Sequence, residues 1–177
     1  MIRRFLSIAF AAVLTACASD PPLPPSSSEP PVFDHSILAG KRVGPVSLGM
    51  TKDQLFAAMG LPVDTIVSYT DVYVHQYQRH FNSDGSFYDG LEVAVSKSSS
   101  RVIYIEVGKY NDGYTTSQGL AVGATESRVR ELLGPAEKVV LKTEHSFDMY
   151  CYKGLRLKFL EGVAFQIQVN PWDCAKL

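Results

Sequence analysis

Cysteine carries the most specific chemistry in this 177-residue chain, which has three of them. Cys17 closes the run Leu14-Thr15-Ala16-Cys17. Small residues before a cysteine fit a signal peptidase, and the thiol can accept a diacylglyceryl group, so the run reads as a lipobox with Cys17 as the lipidation site. Upstream, Arg3 and Arg4 precede an apolar stretch from Phe5 to Val13. That is a positive n-region and a short h-region, too short to span a bilayer as a helix. An ordinary signal peptide with a chance cysteine is the alternative, but position, residue sizes and h-region agree on lipidation. Several acyl chains on one cysteine give stable anchoring, at about 0.8 kcal/mol per buried methylene. The residue after the lipid cysteine is Ala18 rather than Asp, which points to the outer membrane, facing the periplasm.

The other two cysteines, Cys151 and Cys174, would then lie in an oxidising compartment. Cys151 falls on an expected strand and Cys174 just beyond the last one, so a disulfide pinning the C-terminus to the sheet is expected; two unpaired thiols are the alternative. No other histidine or cysteine except His145 lies near them at ligand spacing, which argues against a metal.

Little else suggests catalysis. The four histidines (His35, His75, His80 and His145) are scattered. There is no Gly-x-Ser-x-Gly elbow, P-loop or dinucleotide fingerprint. Asp71, Glu92 and Glu106 could supply a carboxylate pair, yet a solvated charged face is the commoner origin of such residues. The expectation is a protein that is not an enzyme and has no cofactor. Lys plus Arg number 17 against 18 Asp plus Glu, and loss of Arg3 and Arg4 with the signal leaves 15 against 18, a balance of −3. That excludes the basic footprint of a nucleic-acid binder.

The elements that would position these residues follow from the pattern. Residues 1–16 are the signal, and residues 17–36 are the lipidated cysteine with a Pro/Ser-rich tether. Its stretch Ser19–Pro31 is long enough to reach roughly 40 Å at ~3.1 Å per residue. Beyond it the sequence repeats at an offset of 74: Gly49 matches Gly123, Thr51 matches Thr125 and Gly60 matches Gly134. Two units, 37–110 and 111–177, are expected. Thr51 and Thr125 read as N-caps of short helices, with Gln54 completing a capping box after Thr51, and Gly60 and Gly134 follow as stops. Helices of about eight residues need packing partners. Alternating segments such as Arg101–Val107, Gly154–Phe159 and Val163–Val169 supply antiparallel sheet. The expected fold class is α+β: two tandem repeats, each a short helical unit packed on an antiparallel β-sheet. Leu155, Leu157, Phe159, Val163, Phe165, Ile167 and Val169 are expected in the core. The first unit has about ten extra residues, expected as a longer hairpin around Asn82–Ser86.

Strand parity leaves a second face. If Leu91, Val93, Ile103 and Ile105 meet the helices, then Tyr88, Glu92, Tyr104 and Glu106 face away. Tyr150, Tyr152, Arg156, Lys158, Gln166 and Gln168 are expected on the same outer face, with Tyr73 and Tyr77 joining them. Tyr and Arg on a rigid sheet suit partner recognition, although Tyr also favours strands for its own sake. Tyr73, Tyr88, Tyr104, Tyr150, Tyr152, Arg156 and the hairpin-tip Asp84 are the expected partner-binding residues.

The helix start "LGMT", the "G-x-P" stop and the strands "YKGLRLKFLEGVAFQIQV" resemble the tandem-repeat fold of the β-lactamase-inhibitor protein family. They are similar also to the small outer-membrane assembly lipoproteins of the SmpA/OmlA family. The resemblance covers about residues 37–173. It implies helices on one face of a curved sheet, a protein-gripping opposite face, and a non-catalytic role in binding or envelope assembly. Inhibition of a hydrolase of β-lactamase or lysozyme type is the alternative it implies. A cell-wall-acting enzyme is a further alternative. The inhibitors' acidic-aromatic hairpin is matched only loosely here by Asp84-Gly85-Ser86-Phe87-Tyr88.

Overall fold

The computed structural model describes residues 34–67, 71–81, 87–109, 113–141, 147–171 and 174, with backbone alone for 78–81 and 87–89. Cys17, Asp84, the tether and the expected hairpin tip lie outside the described residues. The chain divides into two units at Val32/Phe33, and all that follows concerns the second.

Three short strands open it: β1 (Ser36–Leu38), β2 (Arg42–Val43) and β3 (Val46–Ser47). Helix α1 (Lys52–Met59) leads to β4 (Asp64–Val67), β5 (Val72–Phe81), β6 (Phe87–Ser96) and β7 (Val102–Gly108). The short β8 (Thr115–Thr116) precedes α2 (Glu126–Leu133), and β9 (Lys138–Val140), β10 (Asp148–Tyr152), β11 (Leu155–Leu160) and β12 (Val163–Val169) complete the chain. The strands form a four-stranded sheet, β3-β2-β1-β8, and an eight-stranded sheet, β4-β5-β6-β7-β12-β11-β10-β9.

The helices form where capping chemistry places them. Thr51 accepts from the Gln54 backbone N–H while the Gln54 side chain accepts from the Thr51 N–H, a complete capping box. Thr125 accepts from the Arg128 N–H. Gly60 and Gly134 end the two helices with φ of 77° and 79°, a conformation glycine adopts without a Cβ penalty.

The expected α+β class is nonetheless overturned: the protein is mostly β. The helices are two turns each, and each fully buries a single side chain, Leu55 or Val129. They cannot form a layer of their own. The strands carry the core: Leu91, Val93, Ile105, Val107, Leu155, Leu157, Ile167 and Val169 are all buried. The strands of the two expected units merge into one sheet because β7 pairs with β12 (Ile105 opposite Val169, Val107 opposite Ile167). A separate small sheet arises from two- and three-residue strands, too short to show any period, and its β1 runs parallel to β8.

One expected core set is corrected as well. The β11–β12 register shifts between Lys158 and Phe159, which puts Ala164 opposite Phe159. Ala164 is therefore the buried residue, while Val163 is 38% exposed and Phe165 only half-buried. A bulge reverses alternation on one side of itself, so strict period-two counting fails at that point.

Candidate functional site

The face of the large sheet turned away from the helices carries a row with one residue from each strand. Asp64 pairs with Gln76, Gln76 with Glu92, Glu92 with Glu106, Glu106 with Gln168, Gln168 with Arg156, Arg156 with Cys151 and Cys151 with Lys138. The row is acidic toward the β4 edge and basic toward β9. Direct cross-strand partners are close enough for their side chains to interact.

Hydrogen bonds tie much of the row together. The Gln76 amide donates to Glu92 Oε1 at 3.0 Å. Glu106 Oε2 accepts from Lys158 Nζ at 3.1 Å and from Gln168 Nε2 at 3.2 Å. Asn170 Nδ2 donates to Gln168 Oε1 at 3.4 Å. Gln76, Glu106, Gln168 and Asn170 are buried, so these bonds meet the need of a buried polar group for a partner.

Tyr104 flanks the row, opposite Ala94 on β6. Burial, with the Glu106 and Glu92 carboxylates, pushes its phenol up to about 12. Burial draws the Arg156 guanidinium down and the Glu106 charge opposes that. Both side chains remain half-buried, so part of each faces outward from a fixed base.

Beside the row, where β7 ends and β12 begins, a groove of about 520 Å³ opens. Leu160, Val163 and Phe165 give it apolar walls, and Glu92, Lys109 and Gln166 give it polar ones. The register shift that turns Val163 and Phe165 out of the core thus furnishes this groove. Among the described residues no group of three or more His, Cys, Asp and Glu could hold a metal ion.

The expected partner-binding residues divide. Tyr104 and Arg156 stand on the outer face. Tyr150 and Tyr152 do not: they pair with Leu157 and Leu155, are 9% and 8% exposed, and belong to the core under α2. Burial, then a hydrogen bond to Glu126, pushes the Tyr150 phenol up to about 12. Two residues, Lys153 and Gly154, separate Tyr152 from Leu155, so the two lie directly opposite each other on one face; outward tyrosines would have required a different loop length. Tyr73 also lies on the helix side, stacked on His75 with Lys97 over its ring. The Tyr88 side chain and Asp84 lie outside the described residues.

Cys151 and Cys174 form a disulfide with Cα atoms 5.7 Å apart, within the usual range. It sits at the Cys151 position of the row and is buried. Strand parity in the sequence puts Glu92, Glu106, Lys158 and Gln168 on the outer face, but does not reveal the bonds Glu106 makes to Lys158 and Gln168 or the one Glu92 makes to Gln76. It also missed Gln76 and Asn170; a polar residue inside an otherwise apolar strand was the available signal.

No family model and no curated protein matches the chain. Among solved structures it is similar to a DUF4309 family protein from Bacillus subtilis, at 17% identity and a TM-score of 0.49, over 74% of this chain and 87% of that one. It is also similar to an extracellular protein containing an SCP domain from Bacillus anthracis, at 8% identity and a TM-score of 0.47. There the match covers 70% of this chain and 43% of the other. Likenesses at these TM-scores carry no argument about fold or function, and neither bears on the two families named from the sequence.

Proposed function

We propose that this protein is a lipid-anchored lipoprotein of the outer membrane, facing the periplasm, that acts as a non-catalytic binding module for a protein of the cell envelope. The Leu14–Cys17 run supports the anchor. The observation that carries the binding role is the pairing of half-buried Tyr104 and Arg156 with a hydrogen-bonded row on a rigid sheet. Tyr and Arg held in place by neighbours lose little freedom on contact, which is why they recur as interface anchors. The adjoining groove offers an apolar recess for a partner side chain.

Glu92 and Glu106 face each other, as a carboxylate pair in catalysis would. Each is engaged, however: Glu106 by an ammonium and an amide, Glu92 by an amide. Carboxylates tied up in this way meet the hydrogen-bonding need of a buried polar group, which suits a structural lock.

The test is site-specific photo-crosslinking in intact cells. A crosslinker at Gln166, beside the groove, should give a discrete adduct, and Tyr104→Ala or Arg156→Ala in the same chain should abolish it while the fold persists. The same crosslinker at Glu131, exposed on α2, should give none. No adduct from Gln166, or equal adducts from both positions, would overturn the reading.

A further inference from the structure

His75 lies on the helix side of β5, beside the edge strand β4. It is 3% exposed. Its Nδ1 is 2.9 Å from the Thr65 hydroxyl on β4, and Thr65 is its direct cross-strand partner. Its Nε2 is buried, with no hydrogen-bond partner among the described residues. Phe56 of α1 packs edge-on against the ring at 5.2 Å between centroids, and Tyr73 stacks on it at 6.4 Å.

We propose that His75 is an acid-sensitive pin for β4: protonation of its ring releases the strand from the edge of the eight-stranded sheet. A neutral imidazole needs one donor and one acceptor, and Thr65 serves Nδ1 in either tautomer. An imidazolium carries N–H on both nitrogens. Its Nε2–H would then be a buried charged donor with no acceptor, the costliest kind of unsatisfied group.

Among the described residues the surroundings offer no relief. From α1 the charged group acting on the ring is Lys52, a like charge; from β5 come the phenols Tyr73 and Tyr77, with Lys97 lying over Tyr73. The opposite strand β6 presents Val93, and on β4 the Asp64 carboxylate accepts from the Thr65 backbone N–H. Burial first and Lys52 second lower the proton affinity of the ring from its ordinary 6.5.

The sign follows. Above 6.5 the ring is neutral whether β4 is docked or not, and docking is at full strength. As pH falls through 6.5 the released state takes up the proton and the docked state does not, so docking weakens until the lowered folded-state titration is reached. The strand held this way is short and poorly covered. All four β4 residues are exposed, and beyond the ladder it is held by the Val63 N–H donating to the Gln76 carbonyl at 2.8 Å. An edge strand with few buried contacts is where local opening has a low cost.

The experiment is amide hydrogen exchange on the mature chain, corrected for intrinsic rates. Protection of the Val63–Val67 amides should fall by up to about tenfold per pH unit below about 6.5. Protection in β7 and β12 should hold. His75→Asn, which keeps an amide near Thr65 and cannot protonate, should lose that pH dependence. A fall spread evenly over β4 and β7, unchanged β4 protection, or the same pH dependence in the variant overturns the proposal. Should His75→Asn fail to fold, the wild-type ring titration followed by NMR decides: a midpoint at or above 6.5 overturns it.

Discussion

Glu106 and Lys158 stand on β7 and β11, strands that are not neighbours, yet their carboxylate and ammonium lie 3.1 Å apart across β12. Gln168, on the strand between, donates to the same oxygen. The contact clamps three strands across the β7–β12 seam. Glu106 is buried, so removing its cation strands a charge. Lys158→Met should cost about 3 kcal/mol, and adding Glu106→Gln should restore most of that. Urea denaturation of the two single variants and the double variant checks this; additive losses would mean the pair does not act as a unit.

Gly154 and Gly40 make a close backbone crossing that ties the small sheet to the β10–β11 turn. Gly40 N–H donates to the Gly154 carbonyl at 2.9 Å. A Cβ on Gly154 would lie 2.4 Å from the Gly40 nitrogen, at a φ of +78°. Gly162 has the same φ with open space around it. Gly162→Ala should therefore cost about 1–2 kcal/mol, the ordinary left-handed penalty, and Gly154→Ala clearly more. Thermal melts of the two variants side by side give the comparison.

The Cys151–Cys174 bridge closes a loop of sequence separation 23. Chain entropy alone assigns it about 3 kcal/mol. Cys174→Ser should lower the urea midpoint accordingly, and non-reducing peptide mass spectrometry of the native chain should recover the linked pair. A variant as stable as the wild type would show that the bond adds no stability of its own.

Tyr77, Tyr104 and Tyr150 each have phenols pushed up to about 12, burial being the first cause in all three. A phenol raised in the folded state is neutral in both states below pH 10. Above that the unfolded chain ionises first, so stability falls between about pH 10 and 12. Ultraviolet difference titration should show these phenols ionising late and steeply, together with loss of fold. Tyr104→Phe should move that loss to higher pH; early, reversible ionisation of all tyrosines would contradict it.

Cys17→Ser should abolish incorporation of labelled palmitate and leave soluble or uncleaved chain. Equal labelling of the variant would remove the lipid anchor from the proposed function.

Local chemistry was readable ahead of the structure. Thr51 and Thr125 begin helices because cap, Gly stop and apolar spacing sit within ten residues of one another. β12 spans Val163–Val169 as its alternation indicates. What alternation cannot carry is relation across a turn or a seam. The inward face of Tyr150 and Tyr152 is not legible, because the segment Asp148–Tyr152 alternates Met and Cys with Tyr and neither set announces itself as core. The Glu106–Lys158 clamp depends on β12 lying between its ends, a long-range fact with no local signature. The fold class is hidden for a related reason: two helices carry clear caps and stops, while the strands at 36–47 and 115–116 are too short to show a pattern.

The parallel pairing of β1 with β8 has a kinetic consequence. Residues 36–37 must wait for residues 115–116 before their ladder can form, and every strand of the first half lies in the intervening loop. Loop-closure entropy is met before such a contact returns anything. The small sheet therefore closes late, after the β5–β6–β7 meander has drawn its ends together. In a chain that emerges N-terminus first, β1 has β2 for one edge almost at once but must wait for β8 to cover the other. During that interval one side of β1 is an open edge until β8 covers it, and the crossing at Gly40 and Gly154 can form only later still, once the β10–β11 turn exists.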